Sequence, residues 1–131
     1  MIVVDSNIVA YLYLGGGHGQ AAEALLEQDH DWVAPPLWRS EFRNVLAGCL
    51  RRREFAIEEA RAVQSEAEEL MGNSEYEVNS HIVLDLVNRS DCTAYDCEYV
   101  ALAKQLGLRL VTMDRKVLQA FPEVAVALAI D

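Results

Sequence analysis

Cysteine is scarce in this sequence, basic charge is in deficit, and long apolar runs are missing. The three cysteines, Cys49, Cys92 and Cys97, are odd in number and scattered, so they form no disulfide framework. With His81, Cys92 and Cys97 match no usual zinc spacing, which leaves buried free thiols as the reading. Only 11 lysines and arginines face 21 acidic residues, for a net charge of −10. That balance argues against a passive nucleic-acid binder, which carries a basic surface. No stretch reaches the roughly 18 unbroken apolar residues that a membrane span requires. The chain opens directly on Ile2-Val3-Val4, without a basic and then apolar leader, so a cytoplasmic protein with no membrane association is expected.

What is present is a core-forming composition, 52% hydrophobic over 131 residues, enough for one domain spanning 1–131. Ile2–Val4 reads as a buried strand ending at Asp5, with Ser6 capping a helix over 7–14. Gly15-Gly16-Gly17-His18-Gly19 lacks the lysine and spacing of a phosphate-cradling loop and reads as a connector. A helix follows over 20–28, and a second strand over 32–34 that Pro35-Pro36 closes. Leu37, Phe42, Val45, Leu46 and Leu50 mark the apolar stripe of a helix over 37–53. The pattern continues with a helix over 57–71, a third strand over 76–78, and helices over 82–87 and 95–106. Gly107 stands past the end of the last of these. A fourth strand over 108–112, a short helix over 116–121 and a fifth strand over 124–128 complete the reading. Strands alternating with helices imply a parallel sheet covered on both faces.

Four acids take sheet-edge positions in this pattern. Asp5 follows the first strand, and Asp114 follows the fourth after one spacer. Asp96 lies in the first turn of the helix leading into the fourth strand, and Glu41 lies one turn into the helix after the second. Open parallel sheets bind ligands beyond the carboxyl ends of their strands, where strand order reverses. If the first and fourth strands are neighbours there, Asp5 and Asp114 face each other. Each acid alone has a plainer account: Asp5 and Asp114 as helix caps, Asp96 as a dipole-favoured acid, Glu41 as a solvated residue or a partner of Arg39 or Arg43. Together they form a set suited to a hard divalent cation. Such an ion lowers the pKa of water that it binds and stabilises in-line phosphoryl displacement, the chemistry of phosphodiester hydrolysis.

Ile2-Val3-Val4-Asp5-Ser6-Asn7 resembles the opening motif of PIN domains. Glu41-Phe42-Arg43-Asn44-Val45-Leu46 resembles the family's glutamate helix, Tyr95-Asp96 with Tyr99-Val100-Ala101-Leu102-Ala103 its third acid motif, and Leu110-Val111-Thr112-Met113-Asp114 its strand ending in Thr, spacer and Asp. The motifs occur in the family's order over essentially the whole chain, and their organisation is most similar to VapC-type toxins of toxin–antitoxin pairs. The resemblance implies a Rossmann-like α/β/α sandwich with a five-stranded parallel sheet of order 3-2-1-4-5. It also implies an endoribonuclease dependent on Mg2+ or Mn2+, with Asp5, Glu41, Asp96 and Asp114 as catalytic, metal-binding acids. Ser6, Asn7 and Thr112 would support them, although capping accounts equally well for Ser6. A cognate antitoxin, a homodimer and a larger toxin–antitoxin complex are implied as well. Asp91 and Cys97 depart from the family's small residues near the third acid and read as a solvated loop acid and a buried thiol.

The acidic composition leaves RNA contact to local cations. Arg39, Arg43, Arg51, Arg52 and Arg53 concentrate on one helix and its end. Arg39 and Arg43, beside Glu41, are possible RNA-binding residues, against the alternative of a solvated helix-end cluster. Trp32, Trp38 and Tyr11 read as core or interface residues rather than base-stacking ones. A phosphoacceptor domain would need a lysine after the last strand, and none follows Val124. The alternatives to a toxin are a PIN nuclease of RNA processing without an antitoxin and a binding-only PIN scaffold.

Overall fold

A computed structural model describes residues 1–129. In chain order the elements are β1 (Ile2–Val4), α1 (Ser6–Leu14), α2 (Gly19–Gln28), β2 (Trp32–Val33), α3 (Leu37–Arg51), α4 (Ile57–Met71), α5 (Ser80–Asn88), α6 (Ala94–Leu106), β3 (Leu110–Val111), α7 (Arg115–Ala120) and β4 (Ala125–Val126). The four strands form one parallel sheet of order β2-β1-β3-β4. The register pairs Val3 with Val33 on one side and with Leu110 on the other, and Leu110 in turn with Ala125. Successive strand residues point to opposite faces. Val3 and Val4 are both 0% exposed, so both faces of the central strand are covered. Helix α6 packs on β1 and β3, while α1 joins α2, α3 and α4 in a second group. The run of β-branched residues in β1 is therefore the middle of the core, as its unbroken apolar pattern implies.

The expected five-stranded sheet is a four-stranded one. Residues 76–78 form no strand; beside β2 there is a single parallel bridge, between Ala34 and Glu75. Its two hydrogen bonds run from Ala34 N to Ser74 O and from Tyr76 N to Ala34 O. Pro35 and Pro36 follow at once, and they have no N–H to carry the ladder further. The neighbour relation that matters for chemistry holds regardless: β1 lies beside β3, the strand that ends near Asp114.

On α3 the buried residues are Trp38, Phe42, Leu46 and Cys49. The stripe is rotated from the expected one, and Leu37 and Val45 are left toward a surface cleft described below. Gly107 closes α6 in the left-handed conformation, φ 67°, where a side chain is strained. No helix among the described residues is long and apolar enough to cross a membrane.

Candidate active site

The ladder between β1 and β3 extends to Asp5, whose backbone N–H donates to Val111 O at 3.0 Å. This sets Asp5 and Thr112 side by side at the carboxyl ends of the two central strands. Thr112, fully buried, donates from Oγ1 to Asp5 Oδ2 at 2.8 Å. The same oxygen of Thr112 accepts from the Asp114 backbone N–H at 3.1 Å. Thr112 thus ties two of the expected acids to one strand end.

Asp5 occupies the N-cap position of α1, but its carboxylate makes no capping bond. Ser6 does not cap either; it is the first residue of the helix. Its hydroxyl lies 3.1 Å from Glu41 Oε1 and 3.4 Å from Asp5 Oδ1. The single proton of Ser6 serves one of these at a time, and the shorter contact is to Glu41. The capping accounts of Asp5 and Ser6 are thereby replaced by contacts between acids and hydroxyls. Asp114 differs: its Oδ1 accepts from Lys116 N and Val117 N, a true cap on α7. Asp96 sits in the first turn of α6, and Thr93 is the cap there, accepting from Asp96 N at 3.0 Å.

Two participants escaped the sequence reading. Tyr99, 2% exposed, donates from its hydroxyl to Glu41 Oε1 at 2.6 Å. Its signal was the phenol itself, which needs a partner when buried; in the sequence it stood only within the third acid motif, with no role of its own. Glu98 is a further acid near Glu41. Burial, then the charge of Glu41, pushes its carboxyl above the usual glutamate range.

The acids feel one another. Burial first, and then the charges of Glu41 and Asp96, push Asp5 up to about 6 despite the opposing bond from Thr112. Asp96 is also raised, by burial and then by the charge of Asp114, with Lys116 opposing. A cluster held in this way favours an added positive charge.

The donors are all hard oxygens, the chemistry of magnesium and manganese rather than of zinc or copper. Among the described residues, no three acidic, histidine or cysteine side chains are drawn together tightly enough to ligate one ion directly. Magnesium does not require this, because it keeps several waters and takes one or two carboxylates directly. Asp5 with Glu41, and Asp96 with Asp114, fit such a partly hydrated ion. Asn7 Oδ1 is buried with no partner among the described residues, a further oxygen beside Ser6.

Arg39 is not directed at these acids. Its guanidinium donates to Glu75 at 2.6 and 3.1 Å and to Glu68 at 2.7 Å. Trp38 Nε1 joins at Glu75 Oε2, 2.6 Å away. Burial raises the Glu75 carboxyl, but the bonds from Arg39 and Trp38 outweigh it and hold the group below the usual range. The contacts of Arg39 are those of a clamp between α3, α4 and the bridge. Arg43 is different: it donates only to Ser40 Oγ, at 3.0 Å, and has no carboxylate within bridging distance among the described residues. Trp32 and Trp38 are core, 1% and 0% exposed.

Three comparisons bear on this arrangement. The family model described as PIN domain matches residues 2–126. Ribonuclease VapC3 of Pyrobaculum aerophilum is 29% identical over 124 residues, covering 92% of this chain and 95% of that protein. Among solved structures, PAE2754 from Pyrobaculum aerophilum is similar with a TM-score of 0.74 at 20% identity, over 97% of this chain and 90% of that one. A toxin–antitoxin complex from Klebsiella pneumoniae is similar with a TM-score of 0.69 at 16% identity, over 100% of both chains. At these identities the structural likeness speaks to the fold.

Proposed function

The chain belongs to the PIN domain family, and from that premise we propose that it is a metal-dependent endoribonuclease, the toxin of a toxin–antitoxin pair. The observation that carries this reading is that Ser6 lies between Glu41 and Asp5 while Thr112 binds Asp5, which sets an acid of α3 and the acid that follows β1 together at the end of β3. The VapC3 relative, a ribonuclease by name, supports the nuclease activity. The likeness to a chain of the Klebsiella toxin–antitoxin complex supports the pairing with an antitoxin.

In this reading Asp5, Asp96 and Asp114 would hold a magnesium or manganese ion, and Glu41 would help to hold it or a second one. When bound, the ion supplies charge against the RNA phosphate and acidifies water, which the acids alone do not provide. Thr112 fixes Asp5, so that its carboxylate is aimed before the substrate arrives, and Ser6 donates to Glu41. Tyr99 holds Glu41 at the same edge. Water would attack the phosphorus in line, the new P–O bond forming as the bond to the 3′ oxygen breaks and the proton lost by the water passing to that departing oxygen. Because Asp5 binds a proton up to about pH 6, cation and proton compete for it. The net charge of −10 suits a basic antitoxin segment as partner, and a homodimer is part of the same reading.

The test is cleavage of a panel of single-stranded and structured RNAs by antitoxin-free protein in magnesium, in manganese and in EDTA, beside Asp5→Asn and Asp96→Asn. Cutting that needs the metal and is abolished by both substitutions is the expected result. A folded protein that neither cuts nor binds metal by calorimetry would leave a binding-only scaffold.

A further inference from the structure

The aromatic side chain that the fold leaves out in the open beside the acids is Tyr95. Trp32, Trp38, Phe42, Tyr99 and Phe121 are at most 2% exposed, whereas Tyr95 is 62% exposed. It lies immediately before Asp96 and four residues before Tyr99, on the same face of α6 as the phenol that grips Glu41. Tyr95 therefore stands one turn above that contact, and with Ser6 and Glu41 it lines a cleft of about 490 Å3. Leu37 and Val45 supply apolar wall, and Ser40 and Asn44 supply a hydroxyl and a carboxamide.

We propose that this cleft is a nucleobase subsite, in which Tyr95 stacks on a base of single-stranded RNA and Asn44 reads its edge. The inference rests on the ribonuclease reading above. Three features carry it. The cleft adjoins the acids through Ser6 and Glu41, so a nucleotide with its phosphate at the acids has its base within reach. None of the lining residues is lysine or arginine, so the cleft suits a neutral base rather than a phosphate. An aromatic face, aliphatic wall and a carboxamide with both donor and acceptor match the flat apolar faces and polar edge of a base.

The experiment measures binding of fluorescein-labelled single-stranded RNA to the full chain in calcium, with a gel to monitor cutting. An oligonucleotide of the same length with abasic sites serves as the base-free probe. Tyr95→Ala should weaken RNA binding by roughly tenfold or more, while Tyr95→Phe and Tyr95→Trp retain it. The slope of affinity against salt should not change, because no phosphate contact is lost. The abasic probe should bind the unsubstituted protein and Tyr95→Ala equally weakly. Asn44→Ala should reduce discrimination among homopolymers. Unchanged RNA affinity in Tyr95→Ala, or an equal loss with the abasic probe, overturns the subsite. A change confined to oligomeric state by sedimentation also overturns it, and makes Tyr95 a protein contact. If the unsubstituted protein cuts RNA and Tyr95→Ala does so with the same affinity, only the subsite falls. If it neither binds nor cuts RNA, the ribonuclease reading falls as well.

Discussion

Tyr99 donates its hydroxyl proton to Glu41 across 2.6 Å, joining α6 to α3 over 58 residues of sequence. Burial, and then the Glu41 charge, hold the phenol well above its ordinary range, so it remains a donor. A hydrogen bond to a charged group contributes on the order of 1.5–3 kcal/mol. Tyr99→Phe should therefore lower the unfolding free energy by an amount of that order in urea. It should also slow RNA cleavage by about tenfold, because Glu41 loses one of its two hydroxyl supports. Wild-type stability and rate together in Tyr99→Phe would show that Ser6 alone fixes Glu41.

The pH dependence of stability should run opposite to that of most carboxylates. Asp5 rises from 3.8 to about 6 on folding, so between those values the folded state binds more protons than the unfolded one. Its contribution is fully present below pH 3.8 and is lost as pH rises through about 6. The shift corresponds to roughly 3 kcal/mol. In EDTA, the melting temperature should rise as pH falls from 7 toward 5, and Asp96 and Glu98 act in the same direction. Asp5→Asn should remove most of that slope. Magnesium at pH 7 should raise the melting temperature of the unsubstituted protein more than that of Asp5→Asn.

The two arginines beside Glu41 should separate. Arg39 holds Glu75 and Glu68, so Arg39→Ala should lower stability by roughly 1 kcal/mol, the scale of a partly exposed ion pair. Cleavage by the folded fraction should be unchanged. Arg43→Ala removes a cation held only by Ser40, so it should leave the denaturation midpoint alone. It should weaken RNA binding and reduce the salt slope by about 0.7, the value for one contact to a single strand. Equal loss of stability and binding in either variant would contradict this division.

Much of the site was legible because it depends on order along the chain. A β-branched run ending in Asp, and Thr-spacer-Asp after a second run, place Asp5, Thr112 and Asp114 at strand ends as soon as the two strands pair. What was not legible depends on side chains distant in sequence. Arg39 looks like a free cation on a helix surface until Glu75, 36 residues away, is folded onto it. Tyr99 stands only within the third acid motif until Glu41 meets its hydroxyl. The segment over 76–78 has strand-like residues, and only the missing N–H groups of Pro35 and Pro36 on its partner stop the ladder. The aromatics were legible in part: Trp32 and Trp38 are sealed in the core, in line with their reading as core or interface residues, whereas nothing in the sequence marked Tyr95 as the ring left outside.

Asp114 offers the cleanest separation of charge from structure. Its Oδ1 accepts from Lys116 N and Val117 N at 2.9 and 3.2 Å, so the same carboxyl caps α7 and adds charge beside Asp96. Asparagine is as good a cap as aspartate, whereas alanine offers none and costs about 1 kcal/mol. Asp114→Asn should therefore keep the denaturation midpoint while losing most cleavage and weakening magnesium binding in calorimetry. Asp114→Ala should lose both activity and stability. If Asp114→Asn cuts RNA at the wild-type rate, the carboxyl is a cap alone, and Asp5, Glu41 and Asp96 carry the charge of the site without it.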